Sequence, residues 1–179
     1  MTTRIFIDTE FLDDGARIDL ISIGMVTEDG RELYAVSSEF DQAAVRRHGW
    51  LMANVWPSLP IAKNPRGKRG MDRLDVTHPD VRPRAQIARL VHDFILSAPD
   101  PQLWAYYSAY DHVALAQLFG PMSDLPAGIP MQTCDLVQEA QRLGLTPDEL
   151  PQQADGHHNA LADARHNLVM ARHLDTIAR

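Results

Sequence analysis

The chain is predicted to be an α/β protein, a mixed five-stranded sheet with an N-terminal antiparallel meander, flanked by helices. Three observations carry this. Three short apolar runs follow one another closely before residue 37. A strong turn signal, Asp29-Gly30, separates the second from the third. Beyond residue 80, apolar runs alternate with stretches of helical periodicity.

Ile5, Phe6 and Ile7 run into Asp8 and Glu10 and read as a buried central strand. Leu20 to Val26 is the second strand and Leu33 to Val36 the third, joined by a two-residue hairpin at Asp29-Gly30. Asp13, Asp14 and Gly15 mark the earlier turn. Gln42 to Ala53 is expected to be one helix. Trp56-Pro57-Ser58-Leu59-Pro60 and the basic cluster Lys63, Arg66, Lys68 and Arg69 read as a long exposed loop, which could steer a phosphate backbone. Arg84 to Leu96 carries Ile87, Leu90, Val91, Phe94 and Ile95 on one stripe, the mark of an amphipathic helix. Leu103 to Tyr107 is the fourth strand, followed by a helix from Asp111 to Phe119. After a Pro/Gly-rich connection, Met131 to Thr133 is the fifth strand and Leu136 to Leu143 a helix. The last helix spans Asn159 to Ile177, with Leu161, Ala164, Leu168, Ala171 and Leu174 inward and Asn159 as N-cap. No repeat or linker divides the 179 residues, which suit one domain over residues 1–179.

The net charge of −7 argues against a broad electrostatic grip on duplex nucleic acid, though not against a cleft for a single-stranded end. Cys134 is the only cysteine, so no intrachain disulfide forms, which fits a reducing cytoplasm. The first residues lack a signal-peptide pattern, and no apolar run reaches the roughly 20 residues of a membrane span. A cytoplasmic protein is expected.

Five residues stand out. Asp8 and Glu10 are two apart on a strand and share a face. Buried together, two carboxylates call for a compensating cation; on an exposed edge strand they would be ordinary surface acids. Asp111 follows the fourth strand, where it is equally a helix N-terminal acid. His158 and Asp163 are roughly 140° apart on a regular helix, so they converge only if His158 belongs to the loop before it. Gly156 supports such a loop. Alone, His158 beside His157 reads as a surface histidine. Trp50, Trp56 and Trp104 read as core or interface residues, and Cys134 as inert.

Taken in order, Asp8-x-Glu10, Asp111 after a strand, and His158-x4-Asp163 near the C-terminus resemble the DEDDh exonucleases of the ribonuclease H-like fold, the ribonuclease T and DnaQ-like superfamily. The stretches Asp8-Thr9-Glu10-Phe11, Leu20-Ile21-Ser22-Ile23-Gly24, Tyr34-Ala35-Val36-Ser37 and Ala109-Tyr110-Asp111-His112 resemble more closely the small bacterial polyadenylate-specific 3′-exoribonuclease AS type. The resemblance covers nearly the whole chain. It implies a ribonuclease H-like fold and two divalent metal ions, Mg²⁺ or Mn²⁺, held by Asp8, Glu10, Asp111 and Asp163. It implies His158 as general base, and release of nucleoside 5′-monophosphates from the 3′ end of single-stranded RNA. Many relatives carry Thr or Gly after the first motif's Glu, where this chain has Phe11 and Leu12. Phe11 either stacks on a base or packs in the core, and Thr9 and Phe11 are the candidate substrate contacts. A homodimer follows from the resemblance alone. The same residues would serve a 3′-5′ DNA exonuclease, and a nucleotide-binding module that had lost turnover is the alternative of another class; a metal-dependence assay separates them.

Overall fold

A computed structural model describes residues 2–62 and 72–178. The basic cluster Lys63, Arg66, Lys68 and Arg69 lies outside the described residues. Strand β1 (Thr3–Asp13) pairs antiparallel with β2 (Ile18–Thr27), which pairs antiparallel with β3 (Glu32–Ser37), so the meander forms as the sequence suggests. The hairpin between β2 and β3 is longer than the two-residue turn expected. Gly30 adopts φ +88°, and the loop closes through bonds from the Gly30 and Thr27 N–H groups to the Thr27 and Arg31 carbonyls. A left-handed glycine inside a longer loop serves where Asp-Gly would otherwise form a tight turn.

The helix expected over 42–53 is two helices, α1 (Gln42–Arg47) and α2 (Gly49–Asn54). His48 breaks them with extended backbone (ψ +100°), and its ring nitrogen caps the Leu51 N–H. The expected loop after it holds a short 3-10 turn at Trp56–Ser58, with Trp56 buried. It also holds a two-stranded ladder, β4 (Ile61–Ala62) against β5 (Arg73–Leu74). Next come β6 (Val81–Arg82), α3 (Arg84–Leu96), β7 (Pro101–Ala105) and α4 (Ala109–Ala116). The chain ends with β8 (Thr133–Asp135), α5 (Leu136–Arg142) and α6 (Ala160–Ile177).

The main sheet has six strands rather than five, in the order β6-β3-β2-β1-β7-β8. The added edge strand, β6, is two residues long, too short for any periodicity. The fifth strand of the sequence reading is β8, which begins at Thr133, where the chain meets β7. The sheet is mixed: β1–β7, β7–β8 and β3–β6 are parallel.

Alternation along β1 decides what each face carries. Ile5 and Ile7 pack with Ile87, Val91 and Ile95 of α3 and Leu115 of α4. Phe6 packs on the other face with Leu136 and Ala140 of α5 and Ala164, Leu168, Ala171 and Leu174 of α6. Asp8 and Glu10 continue the Phe6 register and so face α6. The C-terminal end of α6 is tied down by Arg4, whose guanidinium lies 2.6 Å from both Glu28 and Asp175. Among the described residues, no helix is long and apolar enough to cross a membrane.

Candidate active site

Two local features assemble the site. The first is the length of β1. Its ladder with β7 ends at Phe6–Trp104, while β1 continues to Asp13. Beyond that point the β7-side edge of β1 is open. Asp111, in the first turn of α4, fills the gap: its Oδ1 accepts from the Thr9 N–H at 2.8 Å and the Thr9 hydroxyl at 2.7 Å. Asp135 anchors the turn that delivers α4, accepting from the Ser108 N–H at 2.7 Å.

The second feature is Gly24, the partner of Asp8 in the β1–β2 ladder. A Cβ built there would lie 2.2 Å from the Ala160 carbonyl oxygen. Only glycine lets the first turn of α6 rest on the sheet at this place. Asn159 caps that turn, accepting from the Ala162 N–H at 3.1 Å, as the sequence suggests. One turn on, Asn167 is buried and donates to the Ile7 carbonyl at 2.8 Å. Asp163 is thereby held over Asp8 and Glu10.

His158 precedes the helix, in a loop turned by Gly156 at φ +73°. Its Nδ1 lies 3.9 Å from Glu10 Oε1. Glu10, His158 and Asp163 each offer a ligand atom within 4.8 Å of the others. Asp8, Glu10, His158 and Asp163 line a cleft of about 450 Å³, with Thr9, Phe11, Trp50, Tyr106, Gln153 and Asn167 among its other walls. Asp111 bonds to Thr9 and is not among the residues of the cleft wall.

The electrostatics disfavour the charged form of the site's carboxyl groups. Burial, then the charges of Asp111, Glu10 and Asp163, push Asp8 well above the usual carboxylate range. Burial, then Asp163 and Asp111, push Glu10 up to about 8. Asp111 is raised to about 7 by burial, with the two Thr9 bonds pulling the other way. Asp163 is raised by burial, opposed by hydrogen bonds from the Gln153 side chain and the His158 backbone N–H. Carboxyl groups that are buried or half-buried and mutually repelling form a donor set that fits hard divalent cations.

Asp8, Glu10, His158 and Asp163 therefore share the cleft wall, while Asp111 lies off it, bonded to Thr9. Phe11 lines the cleft and also stacks on Tyr110, centroids 5.7 Å apart, while packing on the apolar core. Thr9 is on the wall, but its hydroxyl is committed to Asp111. Of the core or interface role expected of the tryptophans, Trp50 does not take the core half. It is 51% exposed, and its ring meets the His158 ring edge to face at 4.8 Å. Trp56 is core. Asn167, Gln153, Asp135 and Gly24 were not singled out by sequence. Only Gly24 carried a local signal, as a glycine inside an otherwise apolar strand. Cys134 is half-buried and free, and burial raises its thiol pKa, in keeping with an inert residue.

Residues 71–174 match the family model described as the 3′-5′ exoribonuclease Rv2179c-like domain. Over 167 residues the chain is 41% identical to the 3′-5′ exoribonuclease Rv2179c of Mycobacterium tuberculosis strain H37Rv, covering 92% of this chain and 89% of that protein. The 3′-5′ exoribonuclease MT2234.1 of strain CDC 1551 matches with the same figures. Among solved structures, exonuclease I superimposes with a TM-score of 0.60 at 15% identity, over 98% of this chain and 41% of that one. Exonuclease I in complex with the inhibitor BCBP gives 0.57 at 17% identity, again over 98% and 41%. The chain thus spans about two-fifths of the length of exonuclease I. That likeness is one of fold, and it is the ribonuclease H-like fold expected from the sequence.

Proposed function

The chain belongs to the Rv2179c-like 3′-5′ exoribonuclease family, and from that premise we propose that it trims single-stranded RNA from the 3′ end, hydrolysing one phosphodiester at a time with two divalent cations, Mg²⁺ or Mn²⁺. The observation that carries the reading is the convergence of Asp8, Glu10, Asp163 and His158 on one cleft, with their carboxyl groups raised by burial and mutual repulsion. Carboxyl groups buried together in this way are compatible only if protonated or matched by cations.

Asp8, Glu10 and Asp163 would hold the cations, with Asp111 completing the set from the open edge of β1. When bound, such cations supply the charge that makes water a nucleophile near neutral pH and steadies the departing 3′-oxygen. His158 takes the proton from the attacking water, its ring standing at the mouth of the carboxylate cluster. Thr9 orients Asp111 through two hydrogen bonds, leaving Phe11 and Trp50 as the aromatic surfaces beside the terminal nucleotide. Aromatic stacking suits a single strand, since every base has a π-face. The products are nucleoside 5′-monophosphates. We place the protein in the cytoplasm, where a reducing environment suits a chain with one cysteine.

The test is a time course on end-labelled single-stranded RNA with and without Mg²⁺. Stepwise loss from the 3′ side, abolished by chelation and strongly inhibited by a 3′-phosphate, is expected. Cleavage of a circular RNA, or degradation indifferent to chelation, overturns the reading. A parallel DNA strand reports whether the 2′-hydroxyl is read; faster trimming of DNA would make this a DNA exonuclease.

A further inference from the structure

His158 is one of three described non-glycine residues with positive φ, at +61°. A side-chain-bearing residue keeps such a conformation only where its surroundings hold it. The polypeptide that holds it is remote in sequence. The Ser58 hydroxyl lies 2.6 Å from the His158 carbonyl oxygen, across 100 residues. The same hydroxyl is 2.8 Å from the Val55 carbonyl, so its one proton is shared between the two. From the same segment, Trp50 meets the His158 imidazole at 4.8 Å with planes 75° apart.

The segment is suited to the task. Ser58 stands between Pro57 and Pro60 on a short 3-10 turn whose neighbours Val55, Trp56 and Leu59 are all buried. Arg46 lies over the Trp56 ring at 4.5 Å. A hydroxyl on so fixed a turn restrains the peptide it grips more firmly than one on a mobile loop. The imidazole is then bounded by Trp50, with its Nδ1 toward Glu10.

We propose that Ser58 is a positioning residue for His158: its hydroxyl grips the His158 peptide in the left-handed conformation that aims the ring at the carboxylate cluster, with Trp50 limiting the ring's rotation. The inference rests on the reading of His158 as the group that takes the proton. Ser58 does not line the cleft and touches no substrate atom in this scheme. Its effect passes through His158.

The experiment is a double-mutant cycle on the full chain, with a short single-stranded oligoribonucleotide and Mg²⁺. Ser58→Ala should lower kcat about 10- to 100-fold, the scale of a misplaced reacting group, with KM within about twofold. Ser58→Thr, which keeps the hydroxyl, should restore most of the loss. In the His158→Ala background, Ser58→Ala should cost nothing further, because the group it positions is gone. A second readout needs no turnover: the His158 ring Cε1–H resonance, identified by its loss in His158→Ala. Ring current from Trp50 should displace it from the exposed histidines, and Ser58→Ala should move it toward them. An equal loss of kcat in both backgrounds, a full kcat in Ser58→Ala, or an unmoved resonance overturns the proposal. If wild type and His158→Ala turn over equally, the proton-acceptor reading fails, and the resonance still decides whether Ser58 holds the ring.

Discussion

Gly24 stands directly across the ladder from Asp8, and the backbone of Ala160 occupies the space its missing side chain leaves. The closeness of α6 to β1, and so the meeting of Asp163 with Asp8 and Glu10, depends on this one absent methyl group. Gly24→Ala must move the helix, since the contact is with backbone that cannot rotate away. It should destabilise the protein by about 1–3 kcal/mol, as overpacking does. It should also lower kcat about 10²-fold by spreading the carboxylates. Thermal melts and Mg²⁺-dependent rates check both; unchanged activity in a folded variant would show that α6 need not lie so close.

Burial first, and then the charges of Asp111, Glu10 and Asp163, raise the pKa of Asp8. Asp8→Asn should therefore abolish turnover by at least about 10³-fold, through loss of cation binding. In chelator the same variant should melt at a temperature equal to or higher than wild type, because a repulsive buried charge is gone. Retained Mg²⁺-dependent activity in the purified variant would remove Asp8 from the site.

Stability without cations should depend on pH in a defined direction. Glu10 rises from 4.5 to about 8, and Asp111 from 3.8 to about 7. In that window the folded protein keeps protons that the unfolded chain has already lost. The folded state binds more protons, so stability falls as pH rises. The favourable contribution is complete below about pH 4 and lost by about pH 8. Melting in chelator should thus be lower at pH 8 than at pH 6, and Mg²⁺ should raise it most at pH 8. A metal-free protein that grows more stable over this range contradicts the assignment of the raised groups.

His157 and His158 are neighbours with different surroundings. His157 is exposed, its Nε2 3.0 Å from the Gln153 carbonyl, while His158 faces Glu10. His158→Ala should lower kcat by about 10²–10⁴-fold, the usual contribution of a general base, with cation binding largely kept. The deficit should shrink at high pH, where hydroxide needs no base. His157→Ala should be mild. A dead His157→Ala beside an active His158→Ala would reverse the assignment.

Much of this was legible in local pattern. The shared face of Asp8 and Glu10 follows from a period of two, the bounds of α3 from its apolar stripe, and the α6 start from Gly156 and Asn159. These signals are short-range, because helix and strand periodicity act within a few residues. The break at His48 escaped that logic, since the ring nitrogen that caps α2 replaces a helical bond without disturbing the apolar pattern.

By itself, the sequence determined which side chains carry charge, which face of each element they occupy, and, through the order of Asp8, Glu10, Asp111, His158 and Asp163, which family the chain resembles. Only the tertiary structure decided how those faces meet. That β1 outruns β7, so that Asp111 completes Thr9, depends on where two strands part. That Trp50 and Ser58 bracket His158 depends on a contact across 100 residues. Such contacts are selected by packing the whole chain at once, and no local window holds the energy that chooses them.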